Sequence, residues 1–132
     1  MLHLNRRALK WGHPCPISTA VADSNQNAPR LVICTAPPDA AIELARAAVE
    51  RRLAASANVI PDVRSVYRWQ GDIREVAETL ALFKTTAGRY RALERFLREQ
   101  HPYEVPQILA LEPVDGLAAY LDWIATATGR GT

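Results

Sequence analysis

The fold is decided by residues 55–86, ASANVIPDVRSVYRWQGDIREVAETLALFKTT. β-branched and aromatic residues lie on both sides of Gln70-Gly71-Asp72, a pattern typical of two strands joined by a glycine turn. The stretch predicts a β-hairpin whose arms have about 14 residues each, which at roughly 3.3 Å per residue reach about 45 Å. A domain of this size has a radius of gyration of only about 13 Å, so the hairpin must bend, near Pro61, or project beyond its own subunit.

A projecting hairpin leaves strand edges without partners, and these edges carry apolar and aromatic side chains such as Tyr67 and Trp69. Exposed edges of this kind invite pairing with another chain. The sequence therefore predicts a homo-oligomer. The alternative is a shorter, twisted hairpin with a floppy tip, and the mass in solution separates the two.

Apolar spacing on either side of the hairpin predicts the other elements. They are a strand over 31–35, a helix over 39–53, a helix over 89–100, a strand over 107–111 and a final helix after Gly116. On the first helix the predicted buried stripe is Ile42, Ala45, Val49 and Leu53, and on the second it is Tyr90, Leu93, Phe96 and Leu97.

The order βαββαβα predicts a mixed α/β (α+β) fold, a ferredoxin-like βαββαβ sandwich with an extended hairpin and a C-terminal helix. Its strand order is 4-1-3-2, with both helices of the βαββαβ unit on one face. The first and fourth strands are then antiparallel neighbours. The end of the first strand, at Cys34, is consequently expected close to His101, Tyr103 and Glu104.

Composition limits the class of protein. The 132 residues are 48% hydrophobic and 23% charged, with a net charge of +2, which indicates one globular domain. No apolar stretch approaches the roughly 18 residues of a membrane span, and the cations of the body alternate with acids, so membrane and nucleic-acid partners are not expected. Residues 1–29 contain three prolines and no apolar periodicity. We therefore expect a flexible leader over 1–29, the domain over 30–128 and a short tail over 129–132.

Catalytic motifs are missing from the sequence. It contains no nucleophile elbow and no glycine-rich phosphate loop, and His101 is the only histidine outside the leader that could act as a base. The expectation is a protein that is not an enzyme. Cys15 and Cys34 have neither CxxC spacing nor a dense framework of other cysteines, which favours a reducing compartment.

Four motifs together resemble the CutA divalent-cation-tolerance family over about residues 30–126. They are His101-Pro102-Tyr103-Glu104-Val105-Pro106, Tyr67-Arg68-Trp69-Gln70-Gly71, Lys84-Thr85-Thr86 and Arg52-Leu53-Ala54-Ala55. The resemblance implies a small cytoplasmic protein that assembles through its long hairpin into a homotrimer similar to the PII signalling proteins. It also implies a role in tolerance of divalent metal ions, copper especially.

The resemblance further implies metal ligands. Cys34-Thr35-Ala36-Pro37 matches a family motif, and His101 matches the second member of a His-His pair, whereas Gln100 replaces the first member and Ser56 replaces a further cysteine. Thiolate and imidazole donors suit copper and zinc. The predicted metal residues are Cys34 and His101, with Glu104 to complete the shell. Two structural roles stay open: Cys34 as a small core residue and His101 as the cap of a helix end.

Other residues are candidates for a ligand site or an interface. Tyr67 and Trp69 share strand parity and either line a ligand cleft or pack across a subunit contact, while Lys84 either binds an anion or pairs within the sheet. Tyr103 is a further polar ligand candidate. Glu75 and Glu78 lie three apart on a strand, so they face opposite sides and are expected to be surface charges of the trimer.

Two functions follow. The first is a trimeric protein that binds copper or another divalent metal and responds to it. The alternative is a PII-like signalling or interaction module that binds a small ligand or a partner protein in the clefts between subunits.

Overall fold

A computed structural model describes residues 25–129, and its largest feature is the long hairpin. In chain order the elements are β1 (Pro29–Ala36), α1 (Pro38–Glu50), β2 (Ser56–Trp69), β3 (Asp72–Thr86), α2 (Ala87–Gln100), β4 (Ile108–Leu111) and α3 (Ala118–Thr128). All strand pairs are antiparallel and the sheet order is β2-β3-β1-β4. Both the element order and the 4-1-3-2 strand order are as predicted.

The hairpin has the predicted glycine turn, and an irregularity in its strand pairing lies near Pro61, where a bend is one of the two predicted alternatives. Gln70 and Gly71 have φ of 50° and 86°, the pair of left-handed conformations that a type I′ turn requires. The β2–β3 register shifts between Ile60 and Val63, beside Pro61, and Asp62 has φ 61°. This bulge reverses the sheet face on which the odd-numbered side chains of β2 lie. Before it, Val59 pairs with Ala81 on one face, and after it Val63 pairs with Glu78 on the opposite face.

The core fills the sheet face that α1 and α2 cover. Val32 and Phe83 from the sheet meet Leu93 and Leu97 from α2, all fully buried. The opposite sheet face, here called the second face, carries Leu31 and Ile33 of β1, Leu80 and Leu82 of β3, and Ile60, Leu109 and Leu111 of the outer strands. The last three are 41–56% exposed in the single chain.

The buried stripe of α1 differs from the prediction. Its buried residues are Ala41, Leu44, Ala45 and Ala48, and the predicted Ile42 and Val49 are 42% and 38% exposed. Alanines let the helix axis lie close to the sheet, so the small side chains face the core and the larger ones turn outward. The helix also ends at Glu50 rather than 53, because the chain turns through a left-handed Arg52 with φ 59°.

Residues just before the predicted boundary at residue 30 contact the start of α2. The Ala87 N–H donates to the Ala28 carbonyl at 2.8 Å, and the Gly88 N–H donates to the Gln26 carbonyl at 2.9 Å. Residues 25–29 thus join the start of α2, whereas the rest of the predicted leader, residues 1–24, lies outside the described residues, as does the end of the tail, 130–132. Within residues 25–129 no helix is long and apolar enough to cross a membrane.

Candidate functional site

The predicted meeting of the β1 end with the residues after α2 is confirmed at His101. Its Nε2 lies 2.8 Å from the Thr35 carbonyl, and its Nδ1 accepts the Tyr103 N–H at 3.0 Å. These two bonds fix the neutral tautomer in which Nε2–H donates to the carbonyl. Burial lowers the pKa of His101, while the bond to Thr35 acts in the opposite direction.

Cys34 lies on the core face of β1 and is 1% exposed. Its Sγ is 3.8 Å from the Thr35 carbonyl, to which the thiol donates. Burial, and next the charge of Glu78, raise the pKa of this thiol from its ordinary 9.0 to about 12. Since the thiolate is the nucleophile and the metal ligand, Cys34 at neutral pH behaves as a small buried apolar residue.

The predicted metal residues are only partly brought together. Cys34 and His101 both contact the Thr35 carbonyl, but Glu104 is exposed in the loop after α2. Across residues 25–129, no three His, Cys, Asp or Glu side chains converge in a way that could hold a metal ion. The donors within residues 25–129 therefore do not by themselves fit a metal ion, and the metal site stays a prediction that needs further ligands.

Gln100, at the position of the missing histidine, faces a different part of the molecule. It lines a cleft of about 220 Å³ between α1 and α2, together with Arg51 and Phe96. The Arg51 guanidinium lies 4.7 Å from the centre of the Phe96 ring. Residues 100 and 101 thus serve opposite sides of the α2 end.

Glu78 is the residue whose role the sequence prediction missed. It is 2% exposed, so its assignment as a surface charge is wrong for the single chain. Its Oε2 accepts the Tyr103 hydroxyl at 2.7 Å, and its Oε1 has no hydrogen-bond partner among the described residues. Glu75 is exposed, and it lies on the sheet face opposite that of Glu78, as predicted, because side chains alternate along the strand. The available signal was an acid within the apolar run 76–83.

Tyr103 connects this carboxylate to the imidazole. Its ring centre is 4.8 Å from that of His101, and its hydroxyl donates to Glu78. Burial, the hydrogen bond to Glu78 and the charges of Glu78 and Tyr67 all raise the pKa of the Tyr103 phenol. The Thr35 carbonyl, His101, Tyr103 and Glu78 form one continuous set of contacts, here called the Glu78 cluster.

The remaining candidates, Tyr67, Trp69 and Lys84, lie on the two hairpin strands on either side of Glu78. After the bulge, Tyr67 pairs with Arg74 and Trp69 with Asp72, so both aromatic residues share the sheet face of Glu78. Lys84 instead donates to Asn58 Oδ1. It lies six residues from Glu78 along β3, or about 20 Å at 3.3 Å per residue.

Comparison with known proteins identifies the family. A family model described as CutA1 divalent ion tolerance protein matches residues 30–127. The chain belongs to this family. The divalent-cation tolerance protein CutA of Thermus thermophilus is 43% identical over 100 residues, which are 75% of this chain and 97% of that protein.

Solved CutA structures share the fold. CutA from Xylella fastidiosa superposes with a TM-score of 0.75 at 36% identity, covering 76% of this chain and 98% of its own. The PII-like protein CutA from Nostoc sp. PCC 7120 gives a TM-score of 0.72 at 28% identity, covering 76% and 97%. The resemblance to CutA and the PII-like α+β fold are therefore confirmed.

Proposed function

We propose that this CutA-family divalent-cation tolerance protein works as a homotrimer assembled through its second face and its long hairpin. The observation that carries the proposal is that apolar side chains are exposed in the part of the sheet that α1 and α2 do not cover. On the hairpin, Val66 and Ile73 are each 60% exposed. Both outer strands, β2 and β4, also end the sheet with free edges. If β2 of one copy pairs with β4 of the next, the contact is heterologous. Such contacts close into a ring when the rotation that relates neighbouring copies is a whole fraction of a full turn.

We also propose that a divalent metal ion, copper before zinc, binds this assembly at Cys34 and His101. The support is the shared contact of both side chains with the Thr35 carbonyl. Glu104, water or a neighbouring subunit would supply the other ligands. Metal ligands must be deprotonated, and His101 uses both nitrogens in the free protein, so binding releases protons and displaces a hydrogen bond. Affinity is therefore expected to fall as the pH falls.

A copper titration tests the metal proposal. Cys34→Ser and His101→Ala should each weaken saturable binding at least tenfold, because each removes one of only two soft donors. Glu99→Gln, an exposed acid near the same helix end, is the matched control and should bind as the wild type does. Identical isotherms for all four proteins would remove Cys34 and His101 from the site.

The proposed activity is binding in the cytoplasm, without catalytic turnover. The Cys34 thiol is free and buried, which suits a reducing compartment. The raised pKa of the Cys34 thiol and the two occupied nitrogens of His101 make these two side chains a poor nucleophile and a poor base.

A PII-like small-ligand module is the second candidate, and the Glu78 cluster favours it. A buried carboxylate lies there with the phenol of Tyr103, and the Tyr67 phenol is close enough to act on Tyr103. A thermal-shift screen with chelator present tests this candidate, because a bound metabolite raises the melting temperature whereas metal ions are removed.

A further inference from the structure

Only one of the two carboxylate oxygens of Glu78 has a hydrogen-bond partner among the described residues. The Tyr103 hydroxyl satisfies Oε2, whereas Oε1 is buried and lacks a partner within the described residues. The two ion pairs found in residues 25–129, Arg30–Glu112 and Arg91–Glu94, do not involve Glu78.

An unpartnered carboxylate oxygen away from water costs folding stability. Since Asp and Glu are almost never fully buried unless paired, a Glu78 with one unpartnered oxygen indicates an interaction that residues 25–129 of one chain do not provide. The missing partner has to be a hydrogen-bond donor, because an ionised carboxylate only accepts.

We propose that Glu78 Oε1 accepts a hydrogen bond from an N–H group of a nitrogen cation, an ammonium or a guanidinium, that comes from outside residues 25–129. The cation is supplied either by a side chain of a second copy or by a small free amine. The proposal deepens the PII-like candidate function and rests on it; it does not depend on metal binding.

The surroundings of Glu78 select a cation with N–H donors. The neighbouring groups are the His101 and Tyr103 rings, whose centres are 4.8 Å apart, and the Tyr67 phenol lies close enough to Tyr103 to raise the pKa of its hydroxyl. Aromatic faces attract ammonium and guanidinium groups, and a charge-assisted bond to a carboxylate is about twice as strong as a neutral one. An anionic ligand would meet the Glu78 carboxylate.

The first arm of the test uses thermal unfolding and calorimetry of the full chain in EDTA. The probes are methylguanidinium and butylammonium chloride, with tetramethylammonium chloride as a cation without N–H donors. If a free amine supplies the cation, the melting temperature should rise saturably with the concentration of each of the first two probes. Glu78→Gln should bind them at least tenfold more weakly, while Glu75→Gln, the exposed acid three residues away, should match the wild type.

The second arm measures the concentration at which the assembly dissociates. If a second copy supplies the cation, the probes have no effect on the wild type, and Glu78→Gln dissociates at a concentration at least tenfold higher than Glu75→Gln. Glu78→Gln keeps the size and the oxygen acceptor for Tyr103. Should it fail to fold, Glu78→Leu, which removes the buried carboxylate, takes its place in both arms.

Two results overturn the proposal. One is a Glu78 variant with wild-type probe binding and wild-type dissociation. The other is an equal response to tetramethylammonium, which would show an effect of ionic strength. If a metabolite without an N–H cation raises the melting temperature while both amine probes fail, the cation proposal is wrong and the small-ligand function stands.

Discussion

The helix-covered face of the sheet and the outer half of the hairpin share the strands β2 and β3 but differ in how deeply their side chains are buried. Phe83 and Val32 are completely buried under α1 and α2. About 33 Å from Phe83 along β3, at about 3.3 Å per residue, Ile73 is 60% exposed. The bulge at Pro61 and Asp62 separates the two regions.

This difference shows how one chain can contain both a folding core and an assembly surface. The helices complete the first region within the chain. The second region has strand pairing but no covering layer, and a two-stranded hairpin alone is at best marginally stable in water. Substitutions in the two regions should therefore affect different equilibria.

The largest effect is expected in the covered region. Phe83→Ala removes a fully buried aromatic ring and leaves a cavity, which should lower the free energy of unfolding by about 3–5 kcal/mol. Denaturant unfolding measures the loss. A loss below about 1 kcal/mol would contradict the central position of Phe83 in the core.

The next effect concerns assembly rather than folding. Val66 and Ile73 are each exposed by 60%, so the double variant Val66→Ser/Ile73→Ser should leave the far-ultraviolet circular dichroism of a single chain intact. If another copy covers these two side chains, the double substitution should weaken assembly by about 2–4 kcal/mol. Fully burying one such side chain contributes about 1.5–3 kcal/mol, and assembly would bury only the exposed 60% of each. Light scattering over a dilution series measures this. Undisturbed assembly would place the interface elsewhere.

Tyr103→Phe tests the junction between the two regions. The variant keeps the ring against His101 but removes the hydroxyl that donates to Glu78 Oε2 at 2.7 Å. Leaving a buried acceptor unbonded should cost about 1–3 kcal/mol in thermal or chemical unfolding. Tyr120→Phe, on the exposed face of α3, is the control and should change stability by less than about 0.5 kcal/mol.

The smallest effect is the pH dependence contributed by His101. Burial lowers its pKa below the ordinary 6.5, so between the two values the unfolded chain binds a proton that the folded chain excludes. This contribution is complete above pH 6.5 and is lost as the pH falls through the lowered pKa. Relative to wild type, His101→Gln in chelator should therefore lose less stability between pH 7 and 5. An equal or greater loss would contradict the sign.

The sequence predicted the architecture because strong local patterns determine it. The apolar arms around Gln70-Gly71 indicated the hairpin, and the antiparallel first and fourth strands placed His101 at the end of β1. The sequence did not predict that Glu78 is buried. The alternation of side chains along a strand tells on which sheet face Glu78 lies, but not which residues cover that face. A bulge and the Tyr103 loop, far apart in sequence, create that cover.

The same limit explains the misplaced stripe of α1. Adjacent stripes of the helix are both apolar, and the choice between Ala41 and Ile42 depends on how closely the helix lies on the sheet. That distance is set by β2 and β3, on which the helix mainly packs, rather than by the helix sequence. Large residues were favoured by hydrophobicity, whereas close packing favoured the alanines.

The molar mass of the folded protein in solution tests the central claim most directly. Sedimentation equilibrium in chelator, from micromolar to nanomolar chain concentrations, should give about three times the 14.6 kDa of one chain. A stably folded species of 14.6 kDa throughout that range would contradict it, since the hairpin and the second face would then need no other copy.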